Sequence, residues 1–496
     1  MKKNFFYNLI NQLLTLIVPL ITTPYTARVL GEVVNGQISY SLSIITYFIL
    51  FANLGFVIYG QREIAAFRDN RKEKSKIFWE INILKSVSTI ISLIVLVIIM
   101  LAGGFGEKYN KLILIYGIQL IAVFLDLTFY YQGMENFKGL AIRSVLMKVA
   151  SLVCILVFVK TPDDAWIYVL CLSLSIIFGN VIMWPSIFKQ VDFVKIKELK
   201  LRKRIIPSIL IFLPCLAISI YMVLDKTMIG LLSSNPDYDN GCYEQAYKIN
   251  NTATIILAVI STVLTPRNTY YYSHGEIDKF KNNIYFSCNY VLLIGLPIFA
   301  GFLVLSDNLS YWFLGEGYND VPLMLRIMSI RFIVSGLGMV FSNQIFIAIG
   351  KEKYASIATI SAAIVNFVLN LLLIPKYGGI GAAVSTAICE VTVTAVLCIF
   401  VYKYKYVSLK KVVLSSFKYF VASLCMYVSI CYLNFDYSVW SFLLTTLIGS
   451  ITYFISLYTF KDDYFIGLLQ VGFDTVYGKV KKSNINKRKN DILFLF

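Results

Sequence analysis

The sequence predicts an all-α polytopic membrane protein of about fourteen transmembrane helices, and three observations carry that expectation. Of the 496 residues, 58% are hydrophobic and only 15% charged, with a mean hydropathy of +0.72, values outside the range of soluble domains. Apolar stretches long enough to cross a bilayer recur about fourteen times. The 45 Lys and Arg are unevenly placed: about 33 fall in alternate segments counted from the N-terminus, against about 4 in the opposite loops. The positive-inside bias then puts both termini in the cytoplasm. The formal charge of +17 is thus mostly topology, and no nucleic-acid partner is expected.

The first span, 5–29, is apolar yet carries Asn8, Asn11, Thr15, Thr22 and Thr26 at helical spacing, a polar stripe that predicts a wet face. Pro19 and Pro24 interrupt its ladder and Arg28 closes it, so it reads as one wall of a pathway. Spans two to six follow at 38–59, 81–104, 111–131, 140–160 and 164–185, separated by basic loops at 61–80 and 186–206. Spans seven to twelve occupy 207–232, 243–265, 284–306, 323–349, 355–374 and 380–401, and spans thirteen and fourteen 412–433 and 439–459. The loops opposite the basic ones are short and acidic, with Asp237, Asp239, Asp307, Glu316 and Asp320.

The chain also repeats itself. GMENF at 133–137 recurs as GKEKY at 350–354, and Leu30, Gly31, Asn35 and Gly36 recur as Ile229, Gly230, Asn240 and Gly241. Spans one and seven run the same way, which predicts two parallel six-helix lobes: an N-terminal lobe at 1–206, a C-terminal lobe at 207–411, an appended helix pair at 412–460 and a basic cytoplasmic tail at 461–496. In that tail, the basic run from Lys479 to Lys489 reads as an ordinary positive-inside tail, or as an in-plane helix on anionic lipid.

Charges inside spans cost at least about 2.5 to 3.5 kcal/mol each at the bilayer centre, which makes them candidates for mechanism. Lys148, Arg331, Asp126 and Glu390 divide between cavity roles and buried structural pairs, whereas Lys85, Arg143 and Lys418 lie near span ends and are expected to snorkel. Asp225 beside Lys226, and Glu244 four residues before Lys248, predict local neutralisation. The sharper alternative gives Arg28, Lys226 and Lys248 a shared anionic ligand. The nine cysteines lie mostly within spans without metal-ligand spacing, so no disulfide and no metal site is expected. A phosphate-binding loop of the Gly-Lys-Ser/Thr type is absent from the sequence, which leaves no basis for ATP hydrolysis by this chain.

LITTPYTARVLG at 20–31, YFILFANLG at 47–55, YGQREIA at 59–65, DKTMIG at 225–230 and YEQAYK at 243–248 resemble the polysaccharide transporter family. These are the O-antigen, capsule and exopolysaccharide repeat-unit flippases of the MOP (MATE-like) superfamily. The resemblance implies two six-helix lobes plus a terminal pair, alternating access, and a bacterial cytoplasmic membrane. It also implies that the partner is an undecaprenyl-pyrophosphate-linked glycan, among membrane lipids and other polysaccharide-assembly proteins. Arg28 and Arg62 stand where related lipid II flippases carry cavity arginines. The physics agrees, since sugar hydroxyls need a wet cleft and a pyrophosphate needs basic partners, while the polyprenyl tail can stay in lipid. No cofactor is expected; protons or sodium acting on Asp126, Glu390 or Asp225, with the membrane potential, are the candidate driving forces. A teichoic-acid precursor flippase of the same family is an alternative. A MATE-type exporter should have an acidic cavity, and a membrane polymerase or glycosyltransferase should need a large outer loop.

Overall fold

The computed structural model describes residues 2–433, 435–462 and 464–467, with side chains described from Ile17 onward except at 213–215, 217, 218, 220 and 221. The side chains of Asn8, Asn11 and Thr15, and the basic run of the tail, therefore lie outside the described residues. The described residues are helical throughout, with connecting turns: α1 (Lys2–Asn53), α2 (Phe56–Ala66), α3 (Arg71–Leu101), α4 (Glu107–Leu125), α5 (Thr128–Gly133), α6 (Phe137–Phe158), α7 (Ala165–Val181), α8 (Trp184–Ile187) and α9 (Leu201–Leu232). They continue with α10 (Pro236–Ser273), α11 (Ile277–Leu314), α12 (Val321–Met328), α13 (Arg331–Met339) running into a π-helical stretch Val340–Ile347, α14 (Lys353–Tyr404), α15 (Leu409–Cys431) and α16 (Val439–Thr459).

Ten of these helical segments are long and apolar enough to cross a membrane, or eleven when the bent pair Val321–Met328 and Arg331–Ile347 counts as one span. This is a multi-pass membrane protein. The number falls below fourteen partly because two helices each run through a break: α1 has non-helical backbone at Gly31 (φ 75°) and α14 at Gly378 (φ 54°). Positive φ at these points is accessible to glycine without a Cβ penalty. The expected loop at 61–80 is itself largely helical, because α2 and the start of α3 continue beyond the apolar segments. Asn70 caps α3 by accepting from the Glu73 amide at 3.1 Å.

The burial pattern is that of a chain whose solvent is hydrocarbon. On α3, Ile90, Ile91, Ile94 and Ile98 are exposed, while Lys85, Ser88, Thr89 and Ser92 are buried at helical spacing. On α15, Phe417, Phe420, Leu424 and Val428 face out and Tyr419, Ala422, Ser423 and Met426 face in.

Two compact units divide the chain. The first comprises 1–245 with 314–318 and 370–382. In it α1 packs on α3, α4 and α6, and α4 and α6 both pack on α7. The second comprises 246–313, 319–369 and 383–496, with a core that includes Leu264, Ile284, Val291, Phe341, Phe346, Leu397 and Tyr419.

Candidate functional site

In the first unit the two copies of the sequence repeat meet each other. Past the Gly31 break, Asn35 turns its amide back to donate to the carbonyls of Gly31 (2.7 Å) and Thr26 (3.1 Å) and to Tyr318 Oη (3.2 Å), while Tyr318 donates to the Ala27 carbonyl at 3.2 Å. Asn240 does the same in its own copy, donating to the Lys226 carbonyl at 3.0 Å. The glycine after each asparagine then packs on the other copy's backbone. A Cβ on Gly36 would lie 1.6 Å from the Asp237 carbonyl oxygen, and one on Gly241 would lie 1.9 Å from the Glu32 carbonyl oxygen. Neither position accepts a side chain in this arrangement. Gly378 abuts Asp239 in the same way, with the carboxylate 2.2 Å from where a Cβ would stand.

Charged and polar side chains surround this glycine-packed end, and the carboxylates of Asp237, Asp225 and Glu244 are each partnered. Asp237 accepts from Gln37 (3.0 Å), Lys108 (2.9 Å) and Tyr109 (2.5 Å). Asp225, 6% exposed, accepts from Tyr243 Oη at 2.5 Å and from Asn370 Nδ2 at 2.6 Å. Glu244 binds Lys226 and accepts from Ser39 Oγ at 3.2 Å. Lys226 thus takes a counter-charge from the next helix. A buried carboxylate left without such partners would be strongly unfavourable, so these matches fix how α1, α9 and the start of α10 meet.

The second unit holds a buried cation. Arg331, the first residue of α13, follows the 41° bend between α12 and α13 and is 5% exposed. Its guanidinium donates to Glu390 on α14 and to Asn250 Oδ1 on α10, both at 3.2 Å, and lies 5.2 Å from the centre of the Tyr247 ring. Further along, the π-helical stretch carries Gln344, whose Oε1 accepts from Asn268 (3.1 Å) and Ser287 (2.9 Å). A π turn widens the helix and exposes backbone and side chains to such partners.

The other candidate residues are placed as follows. Arg28 is exposed, its Cγ 3.0 Å from where a Cβ on Gly315 would stand. Arg62 on α2 is exposed, 5.7 Å from the Tyr59 ring centre. Lys148 on α6 and Lys248 on α10 are half-buried. Asp126 lies within the span Glu107–Gly133, at the break where α4 ends at Leu125, and accepts from the Thr128 amide at 3.0 Å, with Arg143 at 4.0 Å. Of the polar stripe on the first span, Thr22 and Thr26 donate to helix carbonyls at 3.0 and 2.8 Å, and Thr26 is buried.

Three groups escaped the sequence reading. Lys85, expected to snorkel, is instead fully buried, donating to the Asp126 carbonyl at 2.5 Å with the Phe129 ring 5.4 Å away. Arg204 joins Glu63, Glu80 (2.7 Å) and Tyr59 (3.1 Å) in one buried cluster that also takes the Lys200 amide. Tyr318 and Asn370 complete the glycine-packed end from distant parts of the chain. Only the charge of Lys85 and of Arg204 within or beside apolar runs could have drawn notice.

Comparison with known proteins fits these features. The profile of the family described as "Polysaccharide biosynthesis protein" matches residues 1–271, and that of "Lipid II flippase MurJ" matches 243–450. A protein of Escherichia coli (strain K12), provisionally named an O-antigen transporter, is 25% identical over 406 residues, covering 81% of this chain and 96% of its own. Among solved structures, the lipid II flippase MurJ in an inward closed conformation superimposes with a TM-score of 0.77 at 17% identity, over 92% of this chain and 99% of that one. A multidrug-resistance MATE family transporter of the MOP superfamily, in an inward-facing conformation, gives 0.59 at 15% identity over 80% and 99%. These likenesses establish a MurJ- and MATE-like fold. With more than half of its length matched by the first profile, the chain belongs to the polysaccharide biosynthesis protein family and is a polysaccharide transporter of the MOP superfamily.

Proposed function

We propose that this protein is a flippase that carries undecaprenyl-pyrophosphate-linked oligosaccharide repeat units from the inner to the outer leaflet of a bacterial cytoplasmic membrane by alternating access. The observation that carries the reading is Arg331: a cation 5% exposed, at a helix bend within an apolar segment, in contact with Glu390, Asn250 and the Tyr247 ring. An incoming pyrophosphate can replace Glu390 as the counter-charge of Arg331, and a bidentate guanidinium suits phosphate oxygens. Glu390, so released, is the group best placed to couple transport to a proton or sodium ion. Asp126, at the break between α4 and α5, accepts from the Thr128 amide.

In this reading the breaks at Gly31 and Gly378 are turns between spans. With Leu201–Leu232 and the bent pair each counted as one span, the chain crosses fourteen times. The lobes are then 1–206 and 207–411, followed by the pair at 412–460, with both termini cytoplasmic. The glycine-packed end is the outer seal that must part for release. Outward movement of the anionic headgroup down an inside-negative potential gains about 2.3 kcal/mol per charge per 100 mV. Arg28 and Arg62, both exposed, are the candidate first contacts for the pyrophosphate, with Lys148 and Lys248 further along.

The test is movement of a fluorescent undecaprenyl-pyrophosphate disaccharide in proteoliposomes. Wild type should move it, and Arg331→Ala should be slower by about tenfold or more, the equivalent of ~1.4 kcal/mol. No lipid movement alongside export of small organic cations from the same vesicles would replace this reading with a MATE-type exporter.

A further inference from the structure

A second polar cavity lies in the second unit, at the end of α11 and the turn between α15 and α16. It encloses about 440 Å³, within the size range of small-molecule sites. Because α15 carries Lys410 and Lys411 in its first turn and ends at Cys431, the cavity sits at the end of this helix pair away from those lysines.

Its lining is built rather than incidental. Asn308 is 7% exposed, and its Nδ2 donates to Ser441 Oγ at 3.1 Å. Ser441 is itself fixed in the first turn of α16, its amide donating to the capping Ser438 hydroxyl at 3.1 Å. The Asn308 Oδ1, equally buried, has no hydrogen-bond partner among the described residues. Buried amide oxygens are rarely left so, and reversing the amide would only leave an unpartnered NH₂ in its place. Asp307 is already neutralised by Arg326, which also donates to the Leu303 carbonyl at 3.1 Å. Asp436 is an exposed carboxylate at the rim, and Tyr437 stands beside it with its ring 5.9 Å from that of Tyr311.

We infer that this cavity binds an uncharged sugar. A ligand that suits it must offer hydroxyls, because these satisfy Asn308 in either amide orientation and can also meet Ser441, Thr445 and the carboxylates. It should carry an apolar face for Tyr437, as a pyranose does on the side of its axial hydrogens. It should not be anionic, since Asp436 supplies a negative charge that no ion pair among the described residues offsets. A metal ion fits poorly, because among the described residues no three acidic, Cys or His side chains gather. This site is separate from the Arg331 site, and the inference does not rest on the transport reading.

Ligand-observed NMR on the full chain in nanodiscs tests it, with the methyl glycosides of glucose, N-acetylglucosamine and glucuronic acid as probes. Saturable binding of the two neutral glycosides, at least fivefold tighter than the glucuronide, is expected. Asn308→Ala and the exposed-site variant Tyr437→Ala should each weaken it at least fivefold, and Asp436→Lys should reverse the preference toward the glucuronide. Absence of saturable binding, unchanged binding in Tyr437→Ala, or a preference indifferent to Asp436→Lys overturns the inference. Transport of the lipid-linked sugar that is unaffected in Tyr437→Ala leaves this site standing if the glycoside still binds wild type.

Discussion

Gly36→Ala isolates the role of the glycine-packed end. The new methyl would stand 1.6 Å from the Asp237 carbonyl oxygen and 2.9 Å from the Gly241 amide nitrogen. An unstrained carbon-to-oxygen contact is about 3.3 Å, so α1 and α10 must part by roughly 1.7 Å at this level. Both obstructing atoms are backbone, and no rotamer relieves them. Overpacking of this kind costs about 1–3 kcal/mol. Where that strain is present in the closed arrangement and released on opening, it multiplies the open population by about 5 to 150. Cys242 supplies the reporter, since it is fully buried next to Gly241. In a background with the other eight cysteines replaced, a membrane-impermeant maleimide should modify Cys242 at least fivefold faster in Gly36→Ala than in the parent. Circular dichroism and size-exclusion chromatography establish that the variant is folded. A folded Gly36→Ala that labels at the parental rate would refute the claim that this contact holds the end closed.

Other expectations follow from the buried charges. Arg204→Ala leaves Glu80, 2% exposed, without its main partner and should lower stability by about 3–5 kcal/mol, read as a fall in the thermal midpoint in detergent. Lys85→Met removes the donor to the Asp126 carbonyl and should cost about 1–3 kcal/mol on the same assay, with transport per folded molecule retained. Glu390→Gln keeps a hydrogen bond to Arg331 but removes the carboxylate, so transport should persist while losing its dependence on an imposed proton or sodium gradient; an unchanged dependence rules Glu390 out as the coupling site. Asn35→Ala forfeits the bonds to Thr26, Gly31 and Tyr318 and should speed Cys242 labelling, in the same direction as Gly36→Ala.

What the sequence made legible was local or periodic. The repeated asparagine-glycine pairs were visible as strings, and the structure gives them one job in both copies. The charges of Arg331 and Glu390 stood out against apolar runs, and the fold brings them together across 59 residues. What stayed hidden depended on long-range partners. The depth of Lys85 suggested snorkelling because nothing in the sequence places the carbonyl of Asp126, freed where α4 stops, within its reach. The i,i+4 spacing of Glu244 and Lys248 pointed to a pair on one helix; what no local spacing showed is that Glu244 binds Lys226 on the preceding one. Arg204 meets Glu80 over a separation of 124 residues, beyond any periodicity argument.

At Gly36 and Gly241 the contact is made by main-chain atoms alone. In the function proposed above this contact is a seal, and its main-chain atoms themselves distinguish no cargo. Selectivity must then reside in other surfaces, which can drift from one glycan to another while the closure stays as it is. The two properties are free to evolve at different speeds, and a redesign of cargo choice can leave these glycines untouched.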